Sequence, residues 1–155
     1  MSLIATLLPR SNVALDLDAG SKKLVFEQAA ALFENNQNLT HGAVVESLLA
    51  REKLGSTGLG QGIAIPHGRI KGLKQATAAL LRLKTAIPFD APDGAPVNLL
   101  FVLLVPKNAT DLHLQILGEL AQLFSDKALR QQLLTTSDPA HAYQLITGNP
   151  PDVAN

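Results

Sequence analysis

At 155 residues, with 46% hydrophobic, 17% charged and 4% aromatic side chains, the chain fits one globular domain whose core is built mainly from Leu, Ile, Val and Ala. Thirteen basic and thirteen acidic side chains cancel, and without a run of like charges neither nucleic acid nor an anionic membrane is expected as a partner. The absence of cysteine removes disulfides, thiolate metal sites and cysteine nucleophiles together and fits a reducing compartment.

The opening "MSLIATLLPR" lacks the basic start of a signal peptide, and no stretch approaches the roughly 18 apolar residues of a membrane span, so a cytoplasmic protein without membrane insertion is expected. Next, "SKKLVFEQAAALFENN" places Leu24, Phe26, Ala31, Leu32 and Phe33 at helical spacings behind Ser21 as N-cap. Thr40 caps a second expected helix, "HGAVVESLLAREKL", in which Val44, Val45, Leu48 and Leu49 gather on one face and which Gly55 ends. The apolar runs "QATAALLRLK" and "VNLLFVLLVP" read as strands joined through the turn-rich "IPFDAPDGAP". The second is nearly continuous and suits a strand covered on both faces. Three helices follow: "DLHLQILGELAQLFSD" after Thr110, "KALRQQLL" after the Ser125–Asp126 break, and "AHAYQLIT" capped by Ser137 or Asp138 ahead of Pro139. Helices, then strands, then helices predict an α/β fold, a three-layer α/β/α domain over residues 1–150 with a small mixed sheet, and a tail at 151–155.

The densest cluster of special residues is "GSTGLGQGIAIPHGR", residues 55–69. It is not a P-loop: Gly55 and Gly60 have the spacing, but Gln61-Gly62 replaces the required Lys-Ser/Thr. It is not a dinucleotide fingerprint either, because it follows a helix and runs into Pro66, which disfavours helical geometry at Ile65. What remains is a flexible glycine-rich loop that leads into a short extended piece presenting His67. Gly58, Gly60 and Gly62 let a backbone approach a ligand, and exposed N–H groups with the Ser56 and Thr57 hydroxyls suit an anion. Histidine is abundant in its neutral form near neutral pH and attacks phosphorus directly, which makes His67 a candidate nucleophile; the alternative is a solvated surface histidine. Arg69, two residues on, is placed to neutralise phosphoryl oxygens only if the chain is extended there.

On a helical wheel at about 100° per residue, Leu112, Leu114, Ile116, Leu117, Leu120, Ala121, Leu123 and Phe124 fill one broad arc, with His113 inside it. An inward imidazole needs a partner, either a backbone carbonyl in the core or a shared site with His67. Arg51, one turn before the glycine loop, is either a surface arginine or an anion contact. His41 and His141 carry no expected chemistry. With no cysteine and no His-x-x-x-His pair, no metal site is expected.

The segments "REKLGSTGLGQGIAIPHGR", "PFDAPDGAPVNLLFVLLVP" and "DLHLQILGELAQLF", in that order, resemble enzyme IIA of the fructose/mannitol class of the phosphoenolpyruvate-dependent phosphotransferase system, most closely its nitrogen-regulatory branch. The resemblance spans nearly the whole chain and implies a phosphocarrier. His67, the histidine of Ile-Pro-His-Gly, accepts the phosphoryl group on Nε2, His113 stabilises it and Arg51 assists electrostatically. The implied donor is a phosphorylated HPr-like carrier protein, and no cofactor or metal is needed. The implied acceptor is a set of regulatory targets or, alternatively, a cysteine of an enzyme IIB in sugar transport. Leu59 and Gln61 stand where Ile and Asn are frequent in that family, and Asn98 and Lys107 where acidic residues are frequent.

Overall fold

The computed structural model describes residues 3–109 and 111–148. Thr110, the expected cap, and the tail at 151–155 lie outside the described residues. The elements in chain order are α1 (Leu3–Leu7), a 3-10 turn (Arg10–Asn12), β1 (Val13–Leu17), α2 (Lys22–Gln37), α3 (His41–Leu54), β2 (Gly58–Gly60), β3 (Ile63–Ala64), β4 (His67–Ile70), β5 (Thr77–Ile87), β6 (Val97–Pro106), α4 (Asp111–Leu123), α5 (Lys127–Thr135) and α6 (Pro139–Thr147).

The strands form one mixed sheet in the order β1-β5-β6-β3-β2, with β4 also on β6. β5 and β6 pair antiparallel, and β3 and β4 both run parallel to β6. The apolar run of β6 alternates between two cores, as a strand with helices on both faces must. Leu99, Phe101, Leu103 and Val105 pack with α1, α4 and α6. Leu100, Val102 and Leu104 pack with α2 and α3. The architecture is therefore the three-layer α/β/α arrangement with a mixed sheet. The fully buried Phe26, Phe33, Phe89 and Phe101 anchor the layers, each stabilising the fold by roughly 2–3 kcal/mol through removal of apolar area from water.

Ser21 caps α2 by accepting from Leu24 N. The buried face of α2 is Val25, Phe26, Ala29, Ala30 and Phe33, while Leu24 is 48% exposed. Of the expected residues, Phe26 and Phe33 lie on that face, Ala31 and Leu32 are partly buried beside it, and only Leu24 turns outward. In α3, Val44 and Leu48 are buried with Val45 and Leu49 at their flank, the face expected. Thr40 precedes α3 but makes no side-chain cap bond. Asp138, not Ser137, caps α6 through Ala140 N.

Two departures bear on the site. β1, in a segment without a clear pattern, pairs with β5 at the sheet edge. The glycine-rich stretch is a hairpin rather than an open loop: β2 pairs antiparallel with β3, and the two turn residues, Gln61 (φ 60°) and Gly62 (φ 80°), both lie in the left-handed region. A two-residue hairpin needs that geometry to match strand twist. Asp93 supports the non-glycine position by accepting from Gln61 N at 2.9 Å.

In α4 the buried residues are Ile116 and Leu120, continued by Phe124 just past the helix end, with Leu117 partly covered. Leu112 and Leu114 are exposed, at 39% and 68%. A helix packed on one sheet face buries a stripe of about 100°, narrower than the arc expected from hydrophobicity alone.

Candidate active site

The stretch "IAIPHGRI" lies along one edge of β6 as two collinear strands, β3 and β4, interrupted at Ile65–Pro66. Pro66 has no N–H for the ladder, but its carbonyl accepts from Leu103 N at 2.9 Å, and pairing resumes at His67 opposite Leu103. The interruption turns the His67 imidazole back onto its own chain. Nδ1 lies 2.9 Å from the Ile65 carbonyl oxygen, and Arg51 Nε–H donates to Nε2 at 3.2 Å. A carbonyl on one nitrogen and a guanidinium on the other assign the tautomer: the proton sits on Nδ1 and the lone pair on Nε2. Burial pushes the His67 imidazole below the ordinary histidine range; the Ile65 carbonyl opposes this, Arg51 adds to it, Glu52 opposes it and Arg69 adds to it.

α3 reaches the strand closely because residue 68 is glycine. A Cβ at Gly68 would collide with the Ser47 side chain and press on the Ser47 backbone. Ser47 Oγ instead donates to the Arg69 carbonyl at 2.9 Å, fastening α3 to β4. This fit brings the last turn of α3, with Arg51, to His67. Arg51 also donates from Nη1 to the Gly55 carbonyl at 2.8 Å, closing the helix end.

His113, on the first turn of α4, meets His67 edge to face with ring centroids 5.0 Å apart. Its Nε2 is buried and has no hydrogen-bond partner among the described residues. An unsatisfied buried nitrogen costs about 1–3 kcal/mol. Burial first, then the charges near it from His67, Arg69 and Arg51, push the His113 imidazole down as well.

Arg69 shares a strand with His67, yet its Nη1 donates to the carbonyls of Lys107 and Ala109. It thereby ties β4 to the connection that enters α4. The loop hydroxyls are also engaged. Ser56 Oγ donates to the Phe89 carbonyl at 2.6 Å and accepts from Gly58 N at 3.1 Å. Thr57 donates to Glu52 from both N and Oγ1. Gly60 ends β2 ahead of the hairpin turn and faces the Asp93 carboxylate, and Gly62 is the second turn residue.

Two open hollows meet at Arg51 and His67. One, of about 200 Å³, is walled by Ser56, Thr57, Gly58 and Leu117. The other, of about 290 Å³, is walled by Leu54, Arg69 and His113. Each is lined by an exposed leucine: Leu59, 42% exposed, in the first and Leu54, 84% exposed, in the second.

Glu52 was not legible as a site residue in the sequence. Its side chain, 6% exposed, pairs with Lys22 at 3.0 Å. Its adjacency to Arg51 on the last helical turn is visible in the chain, but the Lys22 partner comes from another helix. His41 and His141 lie apart from the pair, on the Glu27 carbonyl and Thr136 Oγ1. Among the described residues no group of three His, Cys, Asp or Glu side chains is arranged to hold a metal ion, and no helix is long and apolar enough to cross a membrane.

Residues 6–149 match the family model described as "Phosphoenolpyruvate-dependent sugar phosphotransferase system, EIIA 2". The chain belongs to this EIIA family. This EIIA protein is 44% identical over 133 residues to the nitrogen regulatory protein of Pseudomonas aeruginosa, covering 85% of this chain and 86% of that one. The crystal structure of nitrogen regulatory protein IIA-Ntr from Neisseria meningitidis superimposes with a TM-score of 0.89 at 53% identity, over 94% of this chain and 100% of that one. Enzyme IIAMTL from Escherichia coli, solved in complex with phosphorylated enzyme IIBMTL, shares the fold at a TM-score of 0.77 and 21% identity, over 92% of this chain and 100% of that one. As an EIIA component, the chain is a phosphoryl-transfer protein related to nitrogen regulatory proteins.

Proposed function

We infer that this EIIA protein carries a phosphoryl group on His67 Nε2, received from the phosphohistidine of an HPr-like protein, and acts in nitrogen or metabolic regulation. The observation that carries this reading is the His67 ring: Nδ1–H is committed to the Ile65 carbonyl, so the Nε2 lone pair is directed at the hollow shared with Arg51 and His113.

In the transfer, the Nε2 lone pair attacks phosphorus in line with the donor's N–P bond. The Nε2–P bond forms, the donor bond breaks, and its electron pair stays on the donor imidazole. No proton moves. The His67 ring keeps its Nδ1–H and gains positive charge, so its bond to Ile65 becomes charge-assisted and strengthens toward the transition state. Arg51 Nε–H, losing its lone-pair acceptor, turns to a phosphoryl oxygen. His113, with a proton on its bare Nε2, donates to another. The energy of one N–P bond replaces that of another, so positioning and charge stabilisation suffice without a metal.

The open hollows and their exposed Leu54 and Leu59 suit a protein donor rather than an enclosed small molecule. Likeness to nitrogen regulatory proteins at 44% and 53% identity favours regulatory targets over an enzyme IIB as the next partner. Incubation with phosphoenolpyruvate, enzyme I and an HPr-like carrier should put acid-labile phosphate on the wild type and none on His67→Ala. Equal labelling of the two would overturn the assignment. Capture of partners in both phosphorylation states tests the regulatory half, and recovery of an enzyme IIB alone would replace it with sugar transport.

A further inference from the structure

We propose that Glu52 is a positioning residue for this transfer, acting through Thr57 and Ile65 to hold the His67 ring in its reactive tautomer. The proposal rests on the reading that His67 Nε2 is the acceptor. A continuous chain of bonds joins the two side chains. Glu52 Oε1 accepts from Thr57 Oγ1 at 2.7 Å and Oε2 from Thr57 N at 3.1 Å. The Thr57 carbonyl accepts from Ile65 N at 3.0 Å, and the Ile65 carbonyl accepts from His67 Nδ1 at 2.9 Å.

The Ile65 carbonyl is the acceptor that decides where the His67 proton sits. Ile65 lies between β3 and β4, at the break in the strand that Pro66 imposes, so the sheet ladder alone does not secure it. Its amide is held by Thr57, and Thr57 by Glu52. Consecutive residues on the last turn of α3 thus control opposite edges of one imidazole: Arg51 directly at Nε2, and Glu52 at Nδ1 through two residues. A carboxylate this close to a phosphoryl site would repel it if free. Here Lys22 Nζ sits 3.0 Å from Oε2 and over the Phe89 ring at 4.5 Å, which pairs the charge. The Phe89 carbonyl in turn accepts from Ser56 Oγ, so the same assembly holds both hydroxyl residues of the hairpin entry.

Glutamine can reproduce the link to Thr57, its oxygen accepting from Thr57 N and its amide donating to Thr57 Oγ1, while removing the charge. Alanine can do neither. The test compares Glu52→Ala and Glu52→Gln by long-range 1H–15N spectra of the unphosphorylated imidazoles and by the kinetics of phosphoryl acceptance. Wild type and Glu52→Gln should show a protonated Nδ1 and a bare Nε2 at His67, with similar transfer rates. Glu52→Ala should show a mixture of tautomers, and its transfer rate should fall about tenfold, the scale of losing a group that orients a reactive histidine, with KM for the donor unchanged.

If Glu52→Ala keeps the wild-type tautomer, or if Glu52→Gln loses as much rate as Glu52→Ala, the positioning role is overturned. Should Glu52→Ala fail to fold, Thr57→Val takes its place: it removes one of the two Thr57–Glu52 bonds, and an unchanged tautomer there overturns the proposal equally. The spectra need no phosphoryl donor, so a wild type that takes no phosphate would sink the phosphocarrier reading while the Glu52 result still stands on the tautomer.

Discussion

His67 and His113 face each other edge to face at 5.0 Å, and the Nε2 of His113 is buried without a hydrogen-bond partner among the described residues. On the function proposed for His67, that nitrogen, carrying the ring proton, serves charge that arrives only during reaction. His113→Ala should therefore slow phosphoryl acceptance about 100-fold, the scale of removing one preorganised donor, while leaving the fold intact. Stopped-flow or quench kinetics with an HPr-like donor would measure it, and unchanged rates would return His113 to a packing role.

Both imidazoles titrate below the ordinary histidine value of 6.5, His67 and His113 alike chiefly through burial. On the proposed function the neutral form of His67 is the nucleophile, so the acceptance rate should stay level as pH falls through 6.5 and drop only at the lowered value. Stability follows the same sign. The unfolded chain takes up these protons first, so the contribution is complete above 6.5 and is lost as pH falls through the window between 6.5 and the folded values. Urea unfolding across that range should show the loss, and the double variant His67→Ala, His113→Ala should flatten it.

Arg69 gives its Nη1 to the carbonyls of Lys107 and Ala109, ahead of the helix that bears His113. Arg69→Ala should loosen that helix entry and cost about 1 kcal/mol, a charged hydrogen bond discounted for exposure. Hydrogen exchange in the first turn of α4 should speed up, with Arg69→Lys intermediate. A loss of phosphoryl binding with no change in exchange would instead make Arg69 a direct phosphoryl contact.

Gly68→Ala would drive a methyl into Ser47. The expected cost is about 1–3 kcal/mol from overpacking, together with slower transfer as α3 carries Arg51 away from His67. Thermal unfolding and labelling would read both effects, and pairing the change with Ser47→Gly should recover part of each.

The chain by itself carried the alternation of helices and strands, the doubly covered β6, and the cluster ending in "IPHGR", because apolar spacing, prolines and glycines act locally. It placed His113 inward, although the arc drawn around it included Leu112 and Leu114, which are exposed at 39% and 68%. Hydrophobicity says which side chains can be buried; only the one sheet face available to α4 decides which are. The hairpin at Gln61–Gly62 is not legible in the chain for a related reason, since its left-handed glutamine is supported by Asp93 from a distant turn.

The site itself divides along the same line. Residue type nominated His67, His113, Arg51 and Arg69, and resemblance gave the first three their roles. Tertiary structure alone decided the tautomer of His67, the bare nitrogen of His113, the engagement of Arg69 with backbone carbonyls, and the Glu52–Lys22 pair. Each depends on atoms brought together from separate elements of the fold. A linear pattern encodes periodicity within one element, whereas the proton position on an imidazole depends on what packs against both of its edges.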